Sequence, residues 1–159
     1  MSARSRAAST ERLPPDFADF IHCLASSGVE YVVVGAYALG VHGFIRATGD
    51  LDVFYRPTPA NVRRLIAALS EFGAPGMVID QDALLLESMV SRFGEPPLRI
   101  DLLSSISGLT FAEVWSGAVT VSISRQEVRV IGLAELRRNK RASGRRKDLE
   151  DLRRLDAVR

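Results

Sequence analysis

Residues 32–55 read VVVGAYALGVHGFIRATGDLDVFY, and this segment constrains the architecture of the chain more than any other. The β-branched run that ends at Val34 has the composition of a buried strand. The residues after Gly35 lack the alternation of a strand and predict a helix of about two turns. Residues 50–56, DLDVFYR, alternate between apolar and polar and predict a second strand. The segment is therefore a strand, a glycine, a short helix and a strand with two aspartates.

Asp50 and Asp52 project to the same side of the second strand, because side chains two residues apart share a face. Two neighbouring carboxylates repel each other and lose hydration, and a divalent cation such as Mg²⁺ or Mn²⁺ would offset both costs. Asp101, in the alternating segment LRIDLLSS at 98–105, would complete a three-carboxylate cluster if the two strands are neighbours. A D-x-D pair also occurs by chance at solvent-facing strand starts, so the pair alone does not separate the two interpretations.

Gly35 stands where a buried strand meets a helix. Backbone N–H groups at a helix start bind anions, and glycine allows an anion to approach closely, although an ordinary strand-to-helix turn uses the same residue. If an anion binds here, Arg46 in the following loop is a candidate contact. Tyr37 is a candidate for stacking on a base, with packing as the simpler interpretation, and His42 is more simply structural.

The rest of the chain alternates between predicted helices and strands, which indicates an α/β domain. Thr58 and Thr110 are predicted N-caps, and a turn is predicted near Arg125–Gln126. The predicted helices are 14–28, 58–73, 81–88, 109–117, 133–140 and 145–158, and the further strands are 89–94, 98–105 and the two halves of 118–132.

Composition and length restrict the class of protein. The 159 residues are 47% hydrophobic and 25% charged, which is typical of a globular domain. We expect a flexible tail over 1–12 and one domain over 13–159. Cys23 is the single cysteine, so an internal disulfide is excluded. There is no apolar run of about 18 residues and no signal-peptide core, so we expect a cytoplasmic protein without a membrane span.

The positive charge is concentrated at the C-terminus. Residues 137–159 contain ten Lys and Arg against four Asp and Glu, while the formal net charge of the whole chain is +2. This asymmetry suggests an anionic partner such as a nucleotide or RNA. A solvated helix with an arginine-rich surface would give the same asymmetry, so charge alone leaves both interpretations open.

Taken in order, these motifs resemble the signature of the polymerase-β-like nucleotidyltransferase superfamily: an apolar strand, Gly-Ser or Gly-Gly, a short helix, and Asp-x-Asp on the next strand. The closer resemblance is to small bacterial nucleotidyltransferase-like proteins of the AbiEii toxin-related group. Their GGYA…HG..RAT.DLD, RIDLL and K..A.R.KD..DL blocks correspond to Gly35–Ala38, His42–Asp52, Arg99–Leu103 and Lys140–Leu152. The resemblance covers about residues 28–155.

The resemblance implies a polymerase-β-like nucleotidyltransferase fold, with a mixed sheet, helices on one face and a C-terminal helical extension over 132–159. It implies an NTP substrate and Mg²⁺ or Mn²⁺ as cofactor. The implied phosphate contacts begin at Gly35 and continue through Ala36 and Tyr37. The implied metal ligands are Asp50, Asp52 and Asp101, the last also a general base, and the implied completing residues are Lys140, Arg145 and Asp148.

One position departs from the family pattern. Where the superfamily usually has Ser or Gly, this chain has Ala36, which offers a phosphate only its backbone N–H. Loss of one neutral hydrogen bond costs on the order of 1 kcal/mol, which weakens such a site without abolishing it.

Three functions remain open from the sequence. The first is a nucleotidyltransferase acting on a hydroxyl of RNA, a protein or a small molecule, in a toxin–antitoxin or phage-defence setting with a cognate antitoxin or toxin as partner. The alternative is a catalytically silent fold that acts as a protein- or RNA-binding module. The third is a basic RNA-binding module that works through the C-terminal helix.

Overall fold

The computed structural model describes residues 13–44, 49–73, 79–94 and 98–157. The predicted tail at 1–12 and the candidate Arg46 lie outside these residues. Within them the chain forms seven helices and six strands. The helices are α1 (Pro15–Ser26), α2 (Gly35–Val41), α3 (Pro59–Phe72), α4 (Gln81–Leu84), α5 (Phe111–Gly117), α6 (Leu133–Ser143) and α7 (Arg146–Ala157). The strands are β1 (Tyr31–Val34), β2 (Asp50–Tyr55), β3 (Val90–Phe93), β4 (Arg99–Leu103), β5 (Val119–Ile123) and β6 (Gln126–Val130).

The strands form one mixed sheet in the order β3-β4-β2-β1-β6-β5. β1 pairs with β2, β3 with β4 and β5 with β6 in antiparallel fashion. β2 with β4 and β1 with β6 are parallel pairs. The central β1 is buried along its whole length, as its β-branched sequence predicts. The predicted α/β architecture with a mixed sheet and a helical C-terminus is confirmed.

The helix ends follow the local signals in the sequence. The Thr58 side chain accepts a hydrogen bond from the backbone N–H of Asn61 at the start of α3, and Gly73 ends that helix in the left-handed conformation. Thr110 and Glu113 form a capping box at the start of α5. Both predicted N-caps are confirmed.

Helices α1 and α3 cover one face of the sheet. Phe20 of α1 contacts Phe72 of α3 edge-on, with ring centroids 5.2 Å apart, and Phe93 of β3 at 5.3 Å. Phe93 lies opposite Ile100, whose neighbours on this face are the apolar residues of β2 and β4. The alternation of β2 therefore places Asp50, Asp52 and Phe54 on the other face.

The second face is covered only in part, and the candidate site lies there. Phe54 of β2 contacts Phe111 of α5, with ring centroids 5.1 Å apart. Helices α6 and α7 pack against each other beside this face. None of the helices in the described ranges is long and apolar enough to cross a membrane.

Candidate active site

The parallel pairing of β2 with β4 brings two of the predicted carboxylates together. Asp52 lies directly opposite Asp101, and Asp50 lies opposite Arg99. Asp101 is 6% exposed, so its carboxylate is fixed inside the protein. We refer to Asp50, Asp52 and Asp101 as the strand carboxylates. Their common face was predictable from the alternation of each strand, and the structure adds that the strands are neighbours.

Gly35 fits closely against one of these carboxylates. Its φ angle is +72°, a left-handed conformation that favours glycine. A Cβ atom at this position would overlap the Oδ2 atom of Asp52. Glycine therefore allows the start of α2 to lie directly against the carboxylate, which joins the predicted phosphate site to the predicted metal site.

The electrostatic environment of Asp52 disfavours its charged form. Burial raises its pKa most, and the charges of Asp101 and Asp50 raise it further, whereas Arg92 and Arg145 lower it. The resulting pKa is about 7, well above the ordinary value of 3.8. Burial and the two neighbouring acids together therefore oppose a negative charge on Asp52.

Two arginines from the sheet already neutralise part of this charge. Arg92 of β3 lies opposite Asp101 and donates from Nε and Nη2 to its two carboxylate oxygens, at 2.8 and 3.1 Å. Arg99 approaches Asp50, with 3.4 Å between Nε and Oδ1. Arg92 was missed by the sequence analysis, because only the pairing of β3 with β4 places it at Asp101.

The fit of these residues to a divalent cation is partial. Carboxylate oxygens are the ligands that Mg²⁺ and Mn²⁺ prefer, and the register of β2 and β4 suits a shared ion. Yet across 13–44, 49–73, 79–94 and 98–157 no three His, Cys, Asp or Glu side chains are arranged to hold a metal ion. Because Arg92 contacts both oxygens of Asp101, the metal-binding role of the strand carboxylates stays a prediction.

A cleft of about 880 Å³ opens beside Asp52 and Gly35. Phe54, Leu103 and Phe111 contribute apolar surface, and the α6–α7 pair forms a charged wall. The cleft is also rich in hydroxyl groups, from Ser88, Ser104, Ser105, Ser107, Thr110 and Ser143. A space of this size and lining can take a polar small molecule.

The charged wall contains a compact ion cluster. Lys140 is 5% exposed, and its Nζ donates to Asp148 at 3.3 Å and to Asp151 at 3.1 Å. Ser143 Oγ donates to Asp148, and Arg145 Nε donates to the same carboxylate at 3.0 Å. We call Lys140, Ser143, Arg145, Asp148 and Asp151 the helical ion cluster.

The environment of Asp148 is the opposite of that of Asp52. Burial would raise the pKa of Asp148, but the hydrogen bond from Ser143 and the charges of Lys140 and Arg145 outweigh burial and lower the pKa. Asp151 was missed by the sequence analysis. The sequence feature that could have indicated its burial is its three-residue spacing from Asp148, which places both aspartates on the same side of α7. That side is the buried one, whereas the apolar Leu149 is 38% exposed.

The structure brings most of the predicted site residues together. Gly35, Asp52, Lys140, Arg145 and Asp148 line one cleft, with Asp101 on the strand beside Asp52.

Two other candidates make structural contacts. The ring of Tyr37 packs edge-on against Phe17 of α1, with centroids 5.7 Å apart, as the packing interpretation predicts. His42 Nε2 forms a hydrogen bond of 2.7 Å with the backbone oxygen of Ile131, which ties the end of α2 to the residue after β6.

Comparison with known proteins supports the fold. No family model and no curated protein matches the chain. Among solved structures, the "putative nucleotidyltransferase" TM1012 from Thermotoga maritima is similar with a TM-score of 0.60 at 14% identity, over 95% of this chain and 99% of that one. The lincosamide antibiotic adenylyltransferase LnuA, solved with lincomycin bound, is similar with a TM-score of 0.58 at 12% identity, over 94% and 100%. The chain therefore has a nucleotidyltransferase-type fold.

Proposed function

We propose that this protein is a Mg²⁺-dependent nucleotidyltransferase that moves a nucleoside monophosphate from an NTP to a hydroxyl of RNA, a protein or a small molecule. The observation that carries the proposal is the pairing of Asp52 with Asp101 beside Gly35, at a cleft that Lys140 and Arg145 also line. The fold shared with TM1012 and LnuA supports it.

Different residues of the cleft would contact different parts of the triphosphate. Backbone N–H groups from Gly35 through Tyr37 would bind phosphate oxygens, with Ala36 contributing only its N–H. A Mg²⁺ or Mn²⁺ ion held by Asp50, Asp52 and Asp101 would neutralise charge on the phosphates. Arg145, whose side chain is 79% exposed, has more freedom to reach the departing pyrophosphate than Lys140.

The transfer itself is a displacement at phosphorus. The acceptor oxygen forms a bond to the α-phosphorus, the bond from that phosphorus to the bridging oxygen breaks, and pyrophosphate leaves. A carboxylate oxygen of Asp101, or of Asp52, takes the proton of the acceptor hydroxyl. Because the hydroxyl and the α-phosphate would be held close together in one cleft, the entropic part of the activation barrier would be lower.

The acceptor and the biological setting are inferred from the similarity to LnuA and from the family resemblance of the sequence. LnuA is named as an antibiotic adenylyltransferase, and its whole chain aligns with 94% of this one, so a small hydroxylated acceptor is compatible with a domain of this size. The resemblance to the AbiEii-related group supports a toxin–antitoxin or phage-defence role in the cytoplasm, with a cognate antitoxin or toxin protein as partner.

The test is transfer of label from NTPs. The purified protein, each α-³²P-labelled NTP, Mg²⁺ and cell extract are incubated, and labelled product is separated by electrophoresis and thin-layer chromatography. We expect label transfer by the wild type and loss of at least 100-fold in Asp52→Asn and Asp101→Asn. Asp19→Asn, an exposed aspartate of α1 on the other face of the sheet, is the control and should keep full activity. No label, or equal label from Asp52→Asn, would contradict the proposal.

The second candidate is a catalytically silent module that binds a protein or RNA. The ion pairs of the sheet favour it, because Arg92 and Arg99 neutralise part of the charge of Asp101 and Asp50 that a metal ion would otherwise neutralise. Thermal unfolding separates the two functions. An enzyme should gain a few kcal/mol with Mg²⁺ and an NTP well above their dissociation constants, whereas a silent module should gain nothing. RNA binding through the basic C-terminal segment 137–159 would instead show steep salt dependence without metal.

A further inference from the structure

We propose that Arg92 is an internal counter-ion of the strand carboxylates, and that a divalent cation must displace it before Asp101 can serve as a ligand. This inference rests on the metal requirement of the proposed function. Arg92 would then control the metal affinity of the site. Its exposed position on an edge strand would not by itself suggest this role.

The geometry makes Asp101 the fixed partner and Arg92 the movable one. Both oxygens of Asp101 accept hydrogen bonds from the Arg92 guanidinium, at 2.8 and 3.1 Å. The Asp101 side chain is 9% exposed, whereas that of Arg92 is 51% exposed. A buried carboxylate on β4 cannot turn away easily, but a half-exposed arginine can leave it for solvent.

The charge of Arg92 acts on the whole group of acids. The guanidinium that contacts Asp101 also lies near Asp52, because Asp101 and Asp52 are register partners on the neighbouring strands β4 and β2. An ion shared by Asp52 and Asp101 would lie close to this guanidinium. Because like charges repel and Asp101 would lose its arginine, the ion and Arg92 compete for the same carboxylate.

Arg92 also stands at the edge of the sheet. In the described part of the chain, β3 is the edge strand of the sheet, has four residues and pairs with β4. Val90 of this strand is 54% exposed. Phe93 holds the strand in the core, but the Arg92 side chain is 51% exposed, so its guanidinium can leave Asp101 without movement of the core.

The test measures metal binding by the protein without nucleotide. Free Mn²⁺ is titrated by electron paramagnetic resonance in wild type and in Arg92→Gln. We expect Arg92→Gln to bind Mn²⁺ about tenfold more tightly, on the order expected when one partly solvated charge beside carboxylates is removed. Adding Asp101→Asn to Arg92→Gln should cancel the gain.

Arg138→Gln is the matched control. Its side chain is 53% exposed and pairs with Glu113 at 3.0 Å, so it removes the same charge from an ion pair outside the strand carboxylates. Mn²⁺ affinity should stay within about twofold of wild type, because exposed charges farther away are screened.

A second variant covers the case in which Arg92→Gln does not fold, as judged by circular dichroism. Arg92→Lys keeps the charge but loses the bidentate hydrogen bonding to Asp101, so we expect Mn²⁺ affinity to rise by about threefold. Unchanged or weaker Mn²⁺ binding in the folded variant would overturn the inference, as would a gain that persists with Asp101→Asn. Absence of label transfer together with the Mn²⁺ gain would refute the proposed function alone.

Discussion

The strand carboxylates and the helical ion cluster are two groups of charges at one cleft, and their charges are balanced differently. The helical ion cluster has two cations for two carboxylates, and Ser143 donates a further hydrogen bond to Asp148. The strand carboxylates are three acids against two arginines, whose side chains are 51% and 36% exposed. Burial raises the pKa of both Asp52 and Asp148. At Asp52 the neighbouring acids raise it further, to about 7, whereas at Asp148 the Ser143 hydrogen bond and the charges of Lys140 and Arg145 outweigh burial and lower the pKa.

This difference separates a structural role from a binding role. A buried group with balanced charges holds two elements together and gains little from a ligand. A group with excess negative charge is where an added cation gains most. We therefore expect the buried members of the helical ion cluster, Lys140, Asp148 and Asp151, to stabilise the α6–α7 pair. The exposed Arg145 stays available to a phosphate, and the strand carboxylates determine the response to metal.

The largest expected effect comes from Lys140→Met. The change leaves Asp148 and Asp151 buried without their shared cation, so we expect the free energy of unfolding to fall by about 3–5 kcal/mol. Urea denaturation followed by circular dichroism measures it. Arg138→Met is the control: it breaks an exposed ion pair with Glu113 and should cost far less.

The opposite outcome for Lys140→Met would reassign the residue. A small stability loss combined with complete loss of label transfer would show that Lys140 acts mainly on the triphosphate. The helical ion cluster would then belong to the chemistry rather than to the packing of α6 against α7.

Gly35→Ala tests the close approach of α2 to Asp52. Gly73 provides a matched comparison, because both glycines have φ +72°, and nothing lies within 4 Å of a Cβ added at Gly73. Gly73→Ala should cost about 1 kcal/mol, for backbone strain alone. Gly35→Ala should cost about 2–4 kcal/mol, since the methyl group also displaces the Asp52 carboxylate.

Chemical denaturation of both variants at pH 7 gives this difference directly. Equal costs would mean that Asp52 moves away freely, and that the contact with Gly35 does not hold the carboxylate in place. Mn²⁺ titration of Gly35→Ala then shows whether the displaced carboxylate still contributes to metal affinity.

The fold was largely predictable because its signals are local. The apolar run of β1, the Thr58 cap and the Gly73 end of α3, and the capping box at Thr110 are all set by neighbours in the sequence. The shared face of Asp50 and Asp52 follows from the period of a strand in the same way.

The site was less predictable because it depends on long-range pairing. The alternation of β4 shows which way Asp101 points, but only the β2–β4 register places it opposite Asp52. Arg92 is one of two polar residues in a four-residue strand, and nothing in the local sequence indicates that it contacts Asp101. The burial of Asp151 depends on how closely α7 packs against α6. The sequence of α7 is highly charged and does not by itself indicate this packing.

The smallest expected effects come from replacing one carboxylate in each group by its amide. In metal-free protein at pH 7, Asp52→Asn should raise the free energy of unfolding by about 1 kcal/mol, because it relieves repulsion among the strand carboxylates. Asp148→Asn should lower it by about 1–2 kcal/mol, because Lys140 and Arg145 lose a charged partner. Urea denaturation in the presence of EDTA measures both. If both variants changed the free energy of unfolding in the same direction, the strand carboxylates and the helical ion cluster would not differ in charge balance as proposed.

The pH dependence of the free energy of unfolding in wild type and Asp148→Asn tests the contribution of the Asp148 charge more directly. A carboxyl group whose pKa is lowered by folding stabilises the protein above its unfolded pKa, about 4 for aspartate, and this contribution is lost as the pH falls through the lowered value. The stability difference between wild type and Asp148→Asn should thus be full at pH 7 and narrow below pH 4. Denaturation curves at pH 7, 5, 4 and 3 measure it. A difference that stays constant over this range would show that Asp148 contributes through packing and hydrogen-bond geometry, and that the charge of Lys140 is neutralised by Asp151 alone.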